Sequence, residues 1–395
     1  RKEKYHIVAE IKDEKNLEAA YLVGGDEASY VYTADLIARV TAQTCRQSGL
    51  SIIYTELLDF GGDEVYFKKE QSLVGKTYKE AINAYEKSAL MGIMDKDENV
   101  IINPKMDTII DENTELIVIA EDDDKIILSN QSNLGIDKNT IVDFKKTPNV
   151  KEKNLILGWN EKGATIIKEL DQYVEENSEI LIVQNVDDID EIVKNIHKDI
   201  KNQKIEYIQK DITERSTYDE FNLTDFDNII IMGYSKLDIQ EADAKTLIAL
   251  LHIRNICVKA GKNVSIVSEM FDLKNRKLAE VTKADDFIIS ENLISLMISQ
   301  LAENKNLKKV FDELFKADGS EIYLKPATDY IKAGSSVNFY TLIEAASLRK
   351  ETAIGYKLHK YKHDSEKAYG VFLNPLKSEK FEITEEDKII VLAED

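Results

Sequence analysis

The feature that most constrains this chain is an internal duplication. Residues 7–16 read IVAEIKDEKN and residues 266–275 read IVSEMFDLKN, six identities in ten at an offset of 259. The correspondence continues in order. Asp26-Glu27 faces Asp285-Asp286, and after a two-residue slip Leu36-Ile37 faces Leu293-Ile294 and Gln43 faces Gln300. GDEVY (62–66) faces GSEIY (319–323), VIINP (100–104) faces VFLNP (371–375), and IVIAED (117–122) faces IVLAED (390–395). A chain that repeats itself builds one supersecondary unit twice, so its fold must be readable as two copies.

The second copy has a front part that the first lacks. From Asn154 to Lys262 short β runs alternate with helical patterns: Leu155–Leu157 and a helix after Gly163, Ile180–Val183 and a helix from Asp187, then Ile205–Ile208, Ile229–Met232, and a helix from about Glu241 to Ala260. Val264–Val267 follows as the next strand. Strands apolar on both faces, separated by helices, predict a parallel sheet covered on both sides, a Rossmann-like α/β fold. The first copy enters at what is strand five of that sheet, at Ile7–Ile11. Its full counterpart starts roughly 105 residues before Arg1 by the repeat offset and the usual βαβ anatomy, so the chain reads as a fragment whose first sheet is truncated at the N-terminus.

Each copy closes with a small β-rich lobe. The first has strands at Glu64–Lys68, Ala89–Met94, Val100–Ile102 and Glu115–Ala120 with a helix from Thr77 to Tyr85; the second has Glu321–Leu324, Thr352–Leu358, Gly370–Leu373 and Lys388–Ala393, with a longer loop at His359–Lys367. Asn103-Pro104 and Asn374-Pro375 are turn dipeptides at matching places. The helices Ala34–Gln47 and Glu291–Glu303 join sheet to lobe, and the polar stretch Ser129–Lys153, with Pro148, separates the copies. The division expected is 1–60 for the end of the first sheet with its crossover helix, 61–128 for the first lobe, 129–153 for the linker, 154–317 for the second sheet with its crossover helix, and 318–395 for the second lobe.

Composition narrows the partners. With 52 Lys and Arg against 73 Asp and Glu the net charge is −21, which disfavours nucleic-acid binding and favours cations. Two cysteines, Cys45 and Cys257, are too few for a disulfide framework and read as buried thiols of a protein in a reducing compartment. No run approaches the roughly 18 to 20 apolar residues of a membrane span.

Most chemical motifs fail. A dinucleotide turn needs three glycines and an acid at the end of strand two. The turn here is Gly158-Trp159-Asn160-Glu161-Lys162-Gly163, strand two ends in Gln184-Asn185, and Asp187 and Asp188 come too late. NAD is therefore not expected. No Walker lysine pattern or Gly-x-Ser-x-Gly occurs, and His359 and His363 lie on a strand-to-loop segment unsuited to zinc. Asp95-Lys96-Asp97-Glu98-Asn99 imitates half an EF-hand but continues with Val100 instead of glycine, so it reads as a hairpin turn. Asp59, Asp63 and Glu64 read as a solvated turn.

A pair of acids survives because it occurs twice: Glu10 and Asp13, then Glu269 and Asp272, each at or just beyond the carboxyl end of a strand. Ligands bind at that edge of an open parallel sheet, and carboxylates are hard-oxygen ligands for calcium. Asp238, Glu241 and Asp243 begin the preceding helix and come to the same edge, where acids also stabilise a helix start.

Four stretches carry a family resemblance: HIVAEIKDEKNLEAAYLVGGDE (6–27), LIARVTAQTCRQSGLSIIYTELLDFGGDEVYF (36–67), ADAKTLIALLHIRNI (242–256) and KKVFDELFKADGSEIYLKPA (308–327). The chain resembles the CASTOR/POLLUX ion channels, a family with tandem RCK (regulator of conductance) domains, as a bacterial relative of its cytosolic gating-ring region. The resemblance implies tandem RCK domains, each a Rossmann-like sheet with a small α+β lobe. It also implies pore-forming membrane helices on the same polypeptide, self-association as dimers or a tetrameric ring, and no enzymatic activity. It places Glu10, Glu269 and Asp243 at positions that hold calcium in calcium-gated RCK channels. A further glutamate of that site is replaced by Lys12 and Phe271 here, leaving Asp13 and Asp272 as substitutes. Two other readings are a TrkA-type peripheral subunit of a potassium uptake system that binds a nucleotide, and a nicotinamide oxidoreductase.

Overall fold

A computed structural model describes residues 5–129, 131–144, 150–185, 189–262, 264–280, 286–317 and 319–394; Pro148, Asp187, Asp188 and Asp285 lie outside the described residues. The chain divides into two compact units, and each draws on both copies. One holds Arg1–Ser51 with Pro148–Lys305, the other Ile52–Thr147 with Asn306–Asp395.

In the first unit the second copy forms a six-stranded parallel sheet. Its spatial order is Asp286–Ile289, Ser265–Met270, Asn228–Ile231, Lys153–Leu157, Ser178–Gln184, Gln203–Gln209. Numbered along the chain this is 6-5-4-1-2-3, the doubly wound order, and chain direction switches between Lys153–Leu157 and Asn228–Ile231. The strands fold this way because Leu155, Ile156, Leu157, Ile229, Ile230 and Ile231 are buried on both faces. The long helix Ile239–Ala260 starts under an Asp238 side-chain cap and stops at Gly261, whose φ of 65° suits a left-handed terminus. The first copy supplies two parallel strands, Ile7–Ile11 and Ala28–Tyr32.

The crossover helices are exchanged between copies. Thr33–Arg46 of the first packs on the second copy's sheet, where Arg39 reaches Glu169, Gln43 reaches Tyr173 and Arg46 pairs with Glu152 at 3.0 Å. Ser290–Glu303 of the second packs on the first copy's strands, and its Leu301 carbonyl meets His6 Nε2 at 2.6 Å. Asp286 then caps the start of the first copy's next helix, Leu50–Leu58, accepting from the Gly49 amide at 2.7 Å and from Ser51.

The second unit contains both lobes on one hydrophobic core that runs from Leu73, Tyr78 and Val118 of the first to Tyr330, Phe339 and Val391 of the second. Each lobe is a four-stranded antiparallel sheet with the same order. In the first this is Glu64–Lys68, Glu115–Ala120, Ala89–Met94, Val100–Ile102; in the second it is Glu321–Pro326, Lys388–Ala393, Thr352–Lys357, Val371–Leu373. Both carry a bulge at the same place, Leu90/Gly92 and Ala353/Gly355. Glycine is required there because a Cβ would stand 2.5 Å from the Ile101 carbonyl oxygen in one lobe and 2.3 Å from that of Phe372 in the other.

The Asn-Pro turns do more than turn. Asn103 Nδ2 donates to the Lys350 carbonyl at 3.1 Å, and Asn374 Nδ2 donates to the equivalent Lys87 carbonyl at 2.9 Å, a reciprocal clasp between lobes. Asn374 also donates to Asp63 at 2.8 Å, so Asp63 is half-buried in a contact, and burial raises its pKa despite that hydrogen bond. Within the stretch read as a linker, Leu134, Ile136 and Ile141 pack on the shared core. The second lobe adds two features absent from the sequence reading: the paired strands Ser336–Asn338 and Lys380–Glu382, and the helix Phe339–Ser347. Asp95 accepts from the amides of Asp97 and Asn99 and closes a hairpin turn, as its pattern predicts. Cys45 and Cys257 are buried thiols outside any disulfide. Among the described residues no helix is long and apolar enough to cross a membrane.

Candidate functional site

The carboxyl edge of the six-stranded sheet carries a closed polar network centred on Glu269. This carboxylate is buried, at 4% exposure, and its oxygens accept four protein donors. Oε1 takes the Ser290 hydroxyl at 2.7 Å and the Lys162 ammonium at 2.9 Å; Oε2 takes Asn160 Nδ2 at 2.9 Å and the Gly233 amide at 3.2 Å. Asn160 stands at the middle-glycine position of a dinucleotide turn and bridges the switch point, donating also to the Gly233 carbonyl at 2.8 Å. The crevice where a pyrophosphate would lie is thus filled by the chain's own side chain. Gly158, with φ of 78°, lets the turn pass the Met232 carbonyl, which a Cβ would approach at 2.9 Å.

Lys162 is as buried as its partner. Burial alone would lower its pKa, but Glu269 and then Glu161 outweigh that and raise it above the ordinary lysine value. It therefore carries a full positive charge against Glu269. Glu161 is held below the usual carboxylate range: burial works against this, and the Ser235 hydroxyl at 2.6 Å and Lys162 overcome it.

Asp243 and Asp272 meet beside this network. Asp243, at 1% exposure, accepts from the Phe271 amide at 2.9 Å, the Asp272 amide at 3.0 Å and Asn275 Nδ2 at 2.8 Å. Asp272 accepts from the Lys274 amide at 2.9 Å and Gln240 Nε2 at 3.1 Å. Both carboxylates anchor the loop into the helix Leu273–Glu280. A shallow cavity of about 520 Å³ opens next to them, lined by Gln240, Phe271, Asp272, Leu273, Glu291 and Ser295 among others.

Glu10 and Asp13 form a separate edge on the two-stranded sheet. Glu10 accepts from the Thr33 hydroxyl at 2.9 Å and lies 3.6 Å from the Lys12 ammonium; Asp13 caps a short turn through the Lys15 amide. The two edges share a device that residue matching at one constant offset hides. Thr33 and Ser290 each begin a crossover helix and donate a hydroxyl to the glutamate of their own copy, and their offset is 257, not the 259 of the strands.

The five acids do not converge on one ligand set, and among the described residues no three His, Cys, Asp or Glu side chains are placed to hold a metal ion. At Glu269 the arrangement does not fit a divalent cation as it stands, because an ammonium occupies the place of the charge. Lys162 and the helix-initial hydroxyls are site residues that sequence reasoning passed over, and Asn160, read there only as a break in the dinucleotide turn, joins them. The slip at Thr33/Ser290 was the available signal for the hydroxyls.

The sheet order, the crossover helices and the small lobes define tandem RCK domains, and the whole chain superposes with a TM-score of 0.70 on a structure described as the human SLO3 gating ring, at 13% identity, covering 98% of this chain and 81% of that one. Residues 34–136 match the family described as Castor and Pollux, part of voltage-gated ion channel. The probable ion channel POLLUX of Arabidopsis thaliana is 28% identical over 90% of this chain and 47% of its own length. The ion channel CASTOR of Lotus japonicus is 27% identical over 89% and 45%. Over nearly its whole length the chain is similar to the CASTOR and POLLUX ion channels, and it spans a little under half the length of these relatives.

Proposed function

We propose that these residues are the ligand-sensing regulatory region of a cation channel whose pore lies outside them, with calcium or a similar cation as the ligand, and that copies of the chain assemble into a ring. The observation that carries this reading is the doubled glutamate–hydroxyl edge, Glu10 with Thr33 and Glu269 with Ser290, in a family whose relatives are ion channels. A net charge of −21 per chain raises the local cation concentration around both edges. In the proposed site Glu10 and Asp13 serve the first edge, and Glu269, Asp243 and Asp272 the second.

The second edge accepts a cation only in a conformation in which Lys162 has left Glu269. That requirement supplies what regulation needs, a ligand that favours one conformation over another. Self-association is supported by a stripe of exposed apolar side chains on the helix Ile239–Ala260, Ile248, Leu251 and Val258. A nucleotide-binding role as a peripheral subunit is disfavoured by Asn160 in the switch-point crevice.

Calorimetric titration of calcium into the 395-residue chain tests the site, with wild type beside Lys162→Met and Glu269→Gln and with Trp159 fluorescence reporting that each variant is folded. Lys162→Met is expected to bind at least about tenfold more tightly, because a buried competing charge is gone, and Glu269→Gln to lose the heat of that edge. Identical heats from all three proteins, or no heat from any, would overturn the proposal.

A further inference from the structure

The loop after the Asn374-Pro375 turn dips one residue into the lobe core. Leu376 and Ser378 are exposed, while Lys377 between them is 1% exposed, among the largest fully buried side chains in the molecule. Its ammonium nitrogen crosses from the second lobe to the first and donates to the Ile82 carbonyl at 2.9 Å, at the end of the helix Tyr78–Ile82. An ammonium has three N–H donors, and among the described residues Nζ has this one acceptor. The Tyr340 ring stands 5.9 Å away.

Among the described residues the charge that acts on it is a single carboxylate. Glu86, on the first lobe, accepts from the Tyr340 hydroxyl at 2.7 Å and the Ser378 amide at 3.0 Å, so it grips both neighbours of the lysine without bonding the lysine itself. Burial works to raise its pKa, but the bonds from Ser378 and Tyr340, with the nearby lysine, lower it and keep it ionised. The lysine responds in the opposite sense. Loss of water drives its pKa down, Glu86 only partly restores it, and the balance lies at about 7.

The backbone of the same residue holds the second lobe together. The Lys377 carbonyl accepts from the amides of Phe339 and Tyr340 at 3.0 and 3.4 Å and so caps the helix Phe339–Ser347, while its amide donates to the Glu86 carbonyl at 3.3 Å. The duplication provides an internal reference. Aligning the two Asn-Pro turns places Met106 opposite Lys377, and the Met106 carbonyl likewise accepts from the Lys79 amide at its own helix start. The scaffold thus takes an uncharged side chain of similar length at this position.

We propose that Lys377 is a proton-operated latch between the two lobes: seated when neutral, and driven toward water when it takes up a proton, loosening the loop from the first lobe and uncapping the helix Phe339–Ser347. Mild acidification would then act on the regulatory region through a site apart from either acidic edge, and the proposal stands independently of any cation binding.

Hydrogen exchange of the full 395-residue chain at pH 5.5 and 8.5, corrected for intrinsic rates, tests it. In wild type, protection of 78–88 and 339–347 is expected to fall at least about tenfold at the lower pH, while the strands Lys153–Leu157 and Asn228–Ile231 keep theirs. In Lys377→Met the change is expected to stay under about twofold. Equal loss in both proteins, or none in wild type, overturns the latch. Should the variant fail to fold, carbon-13 titration of lysine Cε in wild type decides alone: a lysine with a midpoint near 7 supports the proposal, and its absence refutes it. Glu86→Gln is expected to move that midpoint downward, a response that a purely space-filling lysine would not give.

Discussion

Replacing Lys377 by methionine should stabilise the lobe unit, and by an amount that depends on pH in a defined direction. The folded pKa of about 7 lies below the ordinary value of 10.5. Below pH 7 both folded and unfolded chains hold the proton, so the folded state carries the full cost of a buried charge, roughly 5 kcal/mol from that gap. Between pH 7 and 10.5 the unfolded chain binds more protons than the folded one, so wild-type stability rises with pH at about 1.4 kcal/mol per pH unit. At pH 9 the remaining cost is roughly 2 kcal/mol. Methionine removes this cost and leaves the Ile82 carbonyl without its donor, a pH-independent loss of about 1–3 kcal/mol. The variant should therefore gain about 2–4 kcal/mol at pH 6 and roughly break even at pH 9, a change of roughly 3 kcal/mol between them. Urea unfolding followed by near-ultraviolet circular dichroism reads the lobe unit, since Tyr78, Tyr85, Tyr330 and Tyr340 are buried there. Trp159, the single tryptophan, reports the sheet unit and serves as the control. A difference between the two pH values under about 1 kcal/mol would refute the assignment of the shift to a buried, weakly compensated charge.

Lys162→Met should destabilise the sheet unit by about 3–5 kcal/mol, because it strands a carboxylate buried beside an absent partner; Trp159 fluorescence in urea measures it, and an unchanged midpoint would show that Asn160, Ser290 and Gly233 satisfy Glu269 unaided. Gly92→Ala should cost about 1–3 kcal/mol by forcing the hairpin apart at the bulge, and Gly355→Ala should cost a similar amount in the other lobe; a neutral effect of either on lobe unfolding would contradict the close approach. Leu251→Glu with Val258→Glu should reduce self-association at a given concentration while leaving the circular dichroism spectrum intact, and light scattering that shows the same mass as wild type would remove that helix face from the interface.

The duplication made much of the fold legible because its strands are marked by short apolar runs that no other element explains, and all four strands of each lobe lie where those runs stand. The helix Phe339–Ser347 escaped because it is buried on every side, and even its polar residues Thr341, Glu344 and Ser347 are buried, so no exposed face marks it. The joining stretch looked polar, yet the separated residues Leu134, Ile136 and Ile141 bring it onto the core. Exchange of the crossover helices was not legible at all: two homologous helices and two homologous sheets allow either pairing, and the choice rests on long-range contacts such as Arg39 with Glu169. The acids were visible as a motif, yet what satisfies them was not. Lys162 sits in the turn after the first strand of the complete sheet, where nothing marks it as buried, and its partner is more than a hundred residues away in sequence.

The two copies now serve as controls for each other. At the sheet edge they share the glutamate and the helix-initial hydroxyl, which makes that pair the common element. Glu269 meets a buried lysine, whereas Glu10 lies at the surface near Lys12, where a pair is worth little and solvent ions compete readily. At the lobes the shared element is the clasp of Asn103 and Asn374, and the difference is Met106 against Lys377. At the lobes one copy presents a plain version of the contact, and the other adds a lysine buried against it. There the lysine adds a charge at a position where the sister copy has a methionine. Its distinctive consequence is that the contact can be altered by an ion or a proton, which is the property a regulatory region needs and a purely structural repeat does not.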